Sequence, residues 1–302
     1  MWLTFLITRR ILIFGLQIIG ITVVLFALAE FYPGLHIGGT VNPWYVRYFW
    51  WASNILRGNF GTVQGIPVTT LVAERLGNTL FLSTLTITIV YSFAIPLGYI
   101  AGRYKGKPPE RVISIVNFIQ LTIPAYIFAL VLQWVFAIHL GVLPLRGSVS
   151  VLVVGGDFIE VLISRFQHAI LPAFSMAMLA GSGILQFLAN EINDQKSFDY
   201  PLTAMSKGVP ATNVYKKHIF RNSILPLCTD LGTTIAGIFS GSIIIEQMFT
   251  FNGLGNFFVS AAMSGNWTIV TFMVMFYSTV TLFGFLVSDI LLTIFDPRIQ
   301  VR

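Results

Sequence analysis

Charge is what this 302-residue sequence has least of: Asp, Glu, Lys and Arg together make up 10% of it. A soluble domain carries about 25% charged residues. So few charges cannot cover a water-exposed surface, and lipid is the solvent that tolerates such a composition. Cysteine is almost missing too. The lone Cys228 excludes an internal disulfide and any cysteine-based metal framework. No G-x-x-x-x-G-K-[ST] phosphate cradle occurs; the only Gly-Lys pair is Gly106-Lys107, followed by Pro108. The chain therefore cannot hydrolyse ATP by that route, and energy for any work has to come from a partner. The four histidines, His36, His139, His168 and His218, form no H-E-x-x-H, and there is no G-x-S-x-G. Neither a zinc site nor a nucleophile elbow is signalled, so no catalytic residue, metal or bound cofactor is expected.

What the chain has instead is long apolar runs: 55% of residues are hydrophobic and the mean hydropathy is +0.80. About 20 apolar residues at 1.5 Å each cross a hydrocarbon layer of about 30 Å. Six candidate spans satisfy this: residues 11–31, 79–102, a stretch within 112–145, 169–190, 226–249 and 267–294. Arg9 and Arg10 before an apolar run ending Ala27-Leu28-Ala29 resemble an export signal, but the run is long and uncharged enough to stay as a first membrane helix. The expectation is an all-α polytopic protein, one membrane domain over residues 1–302, with an external loop at 33–78 and a cytoplasmic loop at 191–222. Pro96, Pro124 and Pro172 fall within or at the start of spans, where neighbours re-satisfy freed carbonyls. Gly98, Gly102, Gly181 and Gly183 point to close helix approach.

The net charge of +6 raises nucleic acid as a partner. The basic residues sit in short clusters between apolar runs, which is how topology signals look. Thirteen Lys and Arg fall on one side of a six-span arrangement and five on the other, so the richer side is cytoplasmic and holds both termini. Trp44, Trp50 and Trp51 in the external loop read as an interfacial belt. Asp230 and Glu246 interrupt the fifth span. Sixteen positions separate them, about 24 Å along a helix, which places each near a headgroup region as an interfacial anchor.

The longest cytoplasmic connection reads as helix, break, helix. Asp199 is placed to cap a short helix with Pro201 in its first turn, and Gly208 to end it. Pro210 opens a second helix reaching Asn222, before Pro226 enters the fifth span. A short helix between two breaks is a rigid projection, and its small residues, Ala204 and Gly208, let another protein pack close. A plain solvated linker is the alternative.

The run Asp199-Tyr200-Pro-Leu-Thr203-Ala204-Met-Ser-Lys207-Gly208, continuing through Lys217-His218-Ile-Phe-Arg221-Asn222 to Pro226, resembles the coupling-loop signature of ABC-importer permeases of the dipeptide/oligopeptide branch. Similar stretches follow along nearly the whole chain: Arg57-Gly58-Asn59-Phe60-Gly61, Ile123-Pro124, His139-Leu140-Gly141, His168 to Pro172, Glu246-Gln-Met-Phe249-Thr-Phe-Asn252-Gly253-Leu254-Gly255, and the ending Asp289 to Asp296-Pro297-Arg298. The short N-terminus fits the B-type subunit. Departures are Gln186 and Ala189 where the family often has arginines, Asn252 for a usual proline, and Asn59 for a usual aspartate.

The resemblance implies the type I importer permease fold and a non-catalytic subunit in a prokaryotic cell membrane. It implies as partners a second, homologous permease, two ATP-binding subunits that hold ATP and Mg, and an extracytoplasmic substrate-binding protein. The coupling loop would dock on the ATPases, and Glu246, Phe249, Asn252, Gly253 and Gly255 would contribute to an outer gate. The implied cargo is di- or oligopeptides, with oligosaccharides or nickel chelates as the alternative. Two further rivals are an ion-coupled secondary transporter, for which Glu246 and Asp230 would be the coupling groups, and an intramembrane enzyme using His139 or His168.

Overall fold

A computed structural model describes residues 2–31, 43–153 and 155–295 of the chain. His36, Arg302 and the Asp296-Pro297-Arg298 ending lie outside the described residues. The described chain is helical almost throughout, relieved by one two-stranded antiparallel hairpin, β1 (Thr62–Val63) with β2 (Ile66–Pro67), pairing Thr62 with Pro67. The first crossing is α1 (Trp2–Phe31), and α2 (Trp44–Leu56) follows on the external side. The second crossing, α3 (Val68–Arg103), and the fourth, α6 (Phe158–Gln195), run 36 and 38 residues. At 1.5 Å per residue each exceeds 50 Å, well beyond the ~30 Å hydrocarbon layer. Both therefore extend past the external surface, through polar turns that carry Glu74, Arg75, Glu160 and Arg165. Pro96 and Pro172 lie inside these helices without ending them.

The third crossing departs from a single helix. It consists of α4 (Pro108–Thr122) and α5 (Ala125–Leu132), the latter continued by wider π turns over Gln133–His139, and the two limbs meet at 101°. Proline explains the position: Pro124 cannot continue α4, and Ile123 before it takes an extended ψ of 122°. The fifth crossing is also divided. Its cytoplasmic limb runs from α8 (Ala211–Asn213) through π turns at Val214–Ile219 into α9 (Phe220–Thr229), and its outer limb is α10 (Leu231–Met248). The loop helix thus does not stop at Asn222, and Pro226 lies inside α9; the break comes at Asp230. The short α7 (Asp199–Ser206) precedes this limb, α11 (Leu254–Met263) follows α10, and α12 (Trp267–Phe295) closes the chain. Among the described residues five helices are individually long and apolar enough to cross a membrane, and the bent pair makes six.

Two close approaches organise the bundle. A Cβ on Gly98 would lie 2.9 Å from the Leu185 carbonyl, and one on Gly102 2.7 Å from Ile192 Cβ, so α3 meets α6 where only glycine fits. Gly181 receives the ring of Phe93 in the same seam. Gly183 does not join it, having open space around it. The second approach is α10 on α12, where a Cβ on Gly232 would come within 2.1 Å of the Gly284 carbonyl. Helices in lipid gain little from hydrophobicity against each other, so such packing supplies much of their association.

The two sets of basic residues gather at opposite ends. Lys196 reaches the last carbonyls of α3, and Arg10 pairs with Asp289, at the cytoplasmic end. Arg47 pairs with Glu30, and Arg75 lies 4.3 Å over the Phe257 ring, at the external end.

A test of the α10–α12 approach is Gly232→Val, whose side chain has no room. Overpacking of this kind costs about 1–3 kcal/mol, so the melting temperature of the purified protein should fall. Gly237→Ala, on an open face of the same helix, should leave it unchanged or raise it slightly. Equal melting temperatures for Gly232→Val and the native chain would contradict the packing.

Candidate functional site

The cytoplasmic projection begins at α7. Phe198, extended at φ −77° and ψ 159°, occupies the capping position, and Asp199 is the first helical residue, with no side-chain cap. The expected Asp199 cap is therefore displaced by one position; its carboxylate instead sits in the first turn, where the helix dipole favours a negative charge. Pro201 is buried, and the Thr203 hydroxyl donates to the Asp199 carbonyl at 3.0 Å. The C-terminal end is a Schellman motif. The Gly208 amide donates to Met205 O at 2.9 Å and the Val209 amide to Ala204 O at 3.2 Å. Gly208 adopts φ +82°, a left-handed conformation that other residues take only with strain.

This geometry divides the expected docking residues between two faces. Asp199, Thr203, Lys207 and Gly208 are exposed, and no atom lies within 4 Å of where a Gly208 Cβ would be. Tyr200 and Ala204 turn inward and pack against the cytoplasmic core cluster, so Ala204 serves the chain's own packing. The Tyr200 hydroxyl donates to Gln195 Oε1 at 2.8 Å, fixing α7 to the end of α6. The residues that extend the outward face are apolar: Phe198, Leu202 and Met205 are exposed. Their four- and three-residue spacing is the signal by which the sequence shows them.

A second group, unanticipated from the sequence, roots the projection. The Tyr215 ring lies under two cations, Arg103 at 5.2 Å and Lys196 at 5.5 Å. The Lys196 ammonium donates to the carbonyls of Gly102 and of Arg103, the latter at 3.1 Å, satisfying orphan acceptors at the end of α3. Burial, then the nearby Lys105 and Lys107, hold the Lys196 pKa below the usual lysine value. Tyr99 meets Phe220 edge to face at 5.4 Å. His218 and Arg221 remain exposed, and Asn222 and Pro226 are half-buried on the limb these contacts secure.

At the external end the residues 246–255 form one compact turn. Glu246 is fully buried, which overturns its assignment as an anchor among headgroups. Its carboxylate accepts from Thr79 Oγ1 on α3 at 2.8 Å, and from the amides of Gly255 at 2.7 Å and Asn256 at 3.3 Å. The Leu254 amide donates to the same Thr79 hydroxyl at 2.8 Å. A carboxylate thus satisfies the first turn of α11 and ties it to α3 and α10. The two glycines follow from it. A Cβ on Gly253 would lie 2.3 Å from the Glu246 carboxylate, and one on Gly255 2.5 Å from Ile243 Cα. Phe249 fills the external core, and its carbonyl accepts from Gly147 at 3.0 Å. Asn252 contributes its carbonyl, which accepts from Asn78 Nδ2 at 2.7 Å. A proline has the same carbonyl, which accounts for the departure at this position. Where the family often has arginines, Gln186 instead donates to Asn190 Oδ1 at 3.3 Å, and Ala189 meets Gly102 through its carbonyl.

Six crossings with a rigid, rooted projection at one end form the architecture of a membrane-embedded transport subunit. The family model described as "Binding-protein-dependent transport system inner membrane component" matches residues 94–301. The oligopeptide transport system permease protein AppB of Bacillus subtilis is 34% identical over 265 residues, covering 87% of this chain and 82% of that one. The dipeptide permease DppB of Lactococcus lactis is 25% identical, covering 88% and 84%, and the oligopeptide permease OppB of Mycobacterium tuberculosis 28% identical, covering 88% and 83%. The chain belongs to the family of binding-protein-dependent transport system inner membrane components. It is a non-catalytic, multi-pass permease subunit with the type I importer fold, in a prokaryotic membrane.

The external turn makes a direct prediction. Glu246→Ala strands the Thr79 hydroxyl and the amides of Gly255 and Asn256 and should cost about 1–3 kcal/mol or more, read as a lower melting temperature. Gly255→Ala should cost about 1–3 kcal/mol by overpacking. If both variants melt with the native protein, the turn is not held as described.

Proposed function

We propose that this chain forms half of the translocation pathway of an ATP-driven importer of di- or oligopeptides. The observation that carries the reading is α7: a short helix locked at both ends, rooted in the bundle, with an outward face of Phe198, Leu202 and Met205 beside the open Gly208. An exposed apolar patch on a rigid projection calls for a protein partner. Two cytoplasmic ATPase subunits, holding ATP and Mg, fit that role. A homologous permease would complete the pathway, and an external binding protein would deliver cargo. The peptide assignment draws on relatives named for oligopeptide, dipeptide and glutathione transport.

The chain's own residues supply the coupling. Movement of the docked ATPases acts on Asp199, Thr203, Lys207 and Gly208. The Tyr200–Gln195 bond and the Tyr215 stack carry it to the ends of α6 and α3, and His218, Arg221 and Asn222 lie on the limb that leads through Pro226 to the fifth crossing. At the other end, the turn from Glu246 to Gly255 borders the outer mouth and takes part in gating. Access alternates because the nucleotide-bound motor stabilises one arrangement over the other.

Gly208→Arg is the decisive variant. It places a long charge on the docking face and strains a left-handed position, by about 1–2 kcal/mol. The protein should still insert, whereas ATPase association and nucleotide-driven peptide uptake in proteoliposomes should fall by about tenfold or more, equivalent to 1.4 kcal/mol or more. Normal assembly and uptake by this variant would refute the docking role. Full-rate uptake with no ATPase present would instead restore the secondary-transporter reading.

A further inference from the structure

The helix α2 is fastened to α1 at three heights. The Arg47 guanidinium pairs with Glu30 in the last turn of the crossing. The Tyr48 hydroxyl lies 3.0 Å from Thr22 Oγ1, and since Thr22 already donates to Ile19 O at 2.8 Å, Tyr48 is the donor. Between them Phe26 packs edge-on against Tyr48 at 5.4 Å and meets the tilted Trp51 ring at 5.8 Å. Glu30 and Thr22 are eight residues apart, about 12 Å along the axis. The contacts therefore centre on Phe26, about 6 Å inside the external end of the crossing. A loop helix that belonged to the aqueous space would not meet its neighbour at that depth.

The face of α2 turned away from α1 is aromatic. Tyr45, Phe49 and Trp50 are 51%, 69% and 57% exposed, and the charge of Arg47 is drawn to the opposite side. Tyr45 and Phe49 line one recess with Val23 of α1, which is itself exposed along the membrane crossing. We infer that α2 is a membrane-docking helix whose partner is the outer leaflet of the bilayer, with its aromatic face seated between headgroups and acyl chains. The depth of about 6 Å falls in the range of roughly 5–10 Å at which amphipathic helices settle. Trp and Tyr suit that boundary because each has an apolar body and a polar tip. Arg47 and Tyr48 act as tethers that fix the helix to α1 and set how deep it sits.

The test uses the full-length chain in proteoliposomes with Cys228→Ser, so that one introduced thiol carries an environment-sensitive fluorophore. Labels are placed at Phe49→Cys and Tyr45→Cys, with Val24→Cys as the lipid-facing reference and Arg57→Cys as the water-facing one. Phospholipid brominated near the ester carbonyls should lower emission from Phe49→Cys and Tyr45→Cys by about twofold or more, as for Val24→Cys, because the docked face lies within a few ångströms of that depth. Aqueous iodide should quench them far less than it quenches Arg57→Cys. The reverse pattern at both positions, bright in brominated lipid and quenched by iodide, would overturn the inference and mark α2 as a water-facing surface for an external protein. The two α2 positions serve as independent measurements should one substitution prevent insertion.

Discussion

Everything at the two ends of this protein rests on how closely α3 approaches α6. Gly98, Gly102 and Gly181 carry no side chain of their own into the seam between the two longest helices, so Leu185, Leu188, Ile192 and the Phe93 ring pack directly against the glycine backbones over several turns. In lipid this close packing replaces the hydrophobic force that would join helices in water. At the cytoplasmic end the seam closes with Lys196 on the carbonyls of α3, and Tyr215 stacks beneath the same cation. At the external end α3 continues past the bilayer and delivers Asn78 and Thr79 to the turn after α10. One pair of helices thus supports both the cytoplasmic projection and the external turn.

The crossings were legible in the sequence because a bilayer demands long apolar runs and little else produces them. Their true lengths were not, since the outer turns of α3 and α6 are polar and carry no such signature. Pro124 marked where the third crossing breaks, but the 101° angle is set by what each limb packs against: α4 on α3 and α6, α5 on α6 and α10. Glu246 was misplaced for a related reason. A charge in an apolar run has two outlets, the headgroups or buried donors, and its donor Thr79 lies 167 residues away. The projection fared better. Proline and glycine punctuation revealed α7 and its end, because the Schellman turn at Gly208 is local chemistry. The root on Tyr215 depends on Arg103, Lys196 and Tyr99, which only the fold brings together.

The bent third crossing and the divided fifth also bear on how the subunit works. Breaks at Ile123–Pro124 and Asp230 leave limbs that can pivot without unwinding a continuous helix, whereas the seam between α3 and α6 has no comparable freedom. The bundle therefore combines a stiff spine with two jointed members. The wider turns at Val214–Ile219 lie where the jointed fifth member leaves the projection.

The external turn carries an implication for descent as well as for mechanics. Thr79, Glu246, Gly253 and Gly255 occupy one another's space and satisfy one another's hydrogen bonds, so a change at any one leaves the other three poorly fitted. Natural variation should move such a quartet as a block or not at all. Asn252, which lends only a carbonyl, sits among them free to drift.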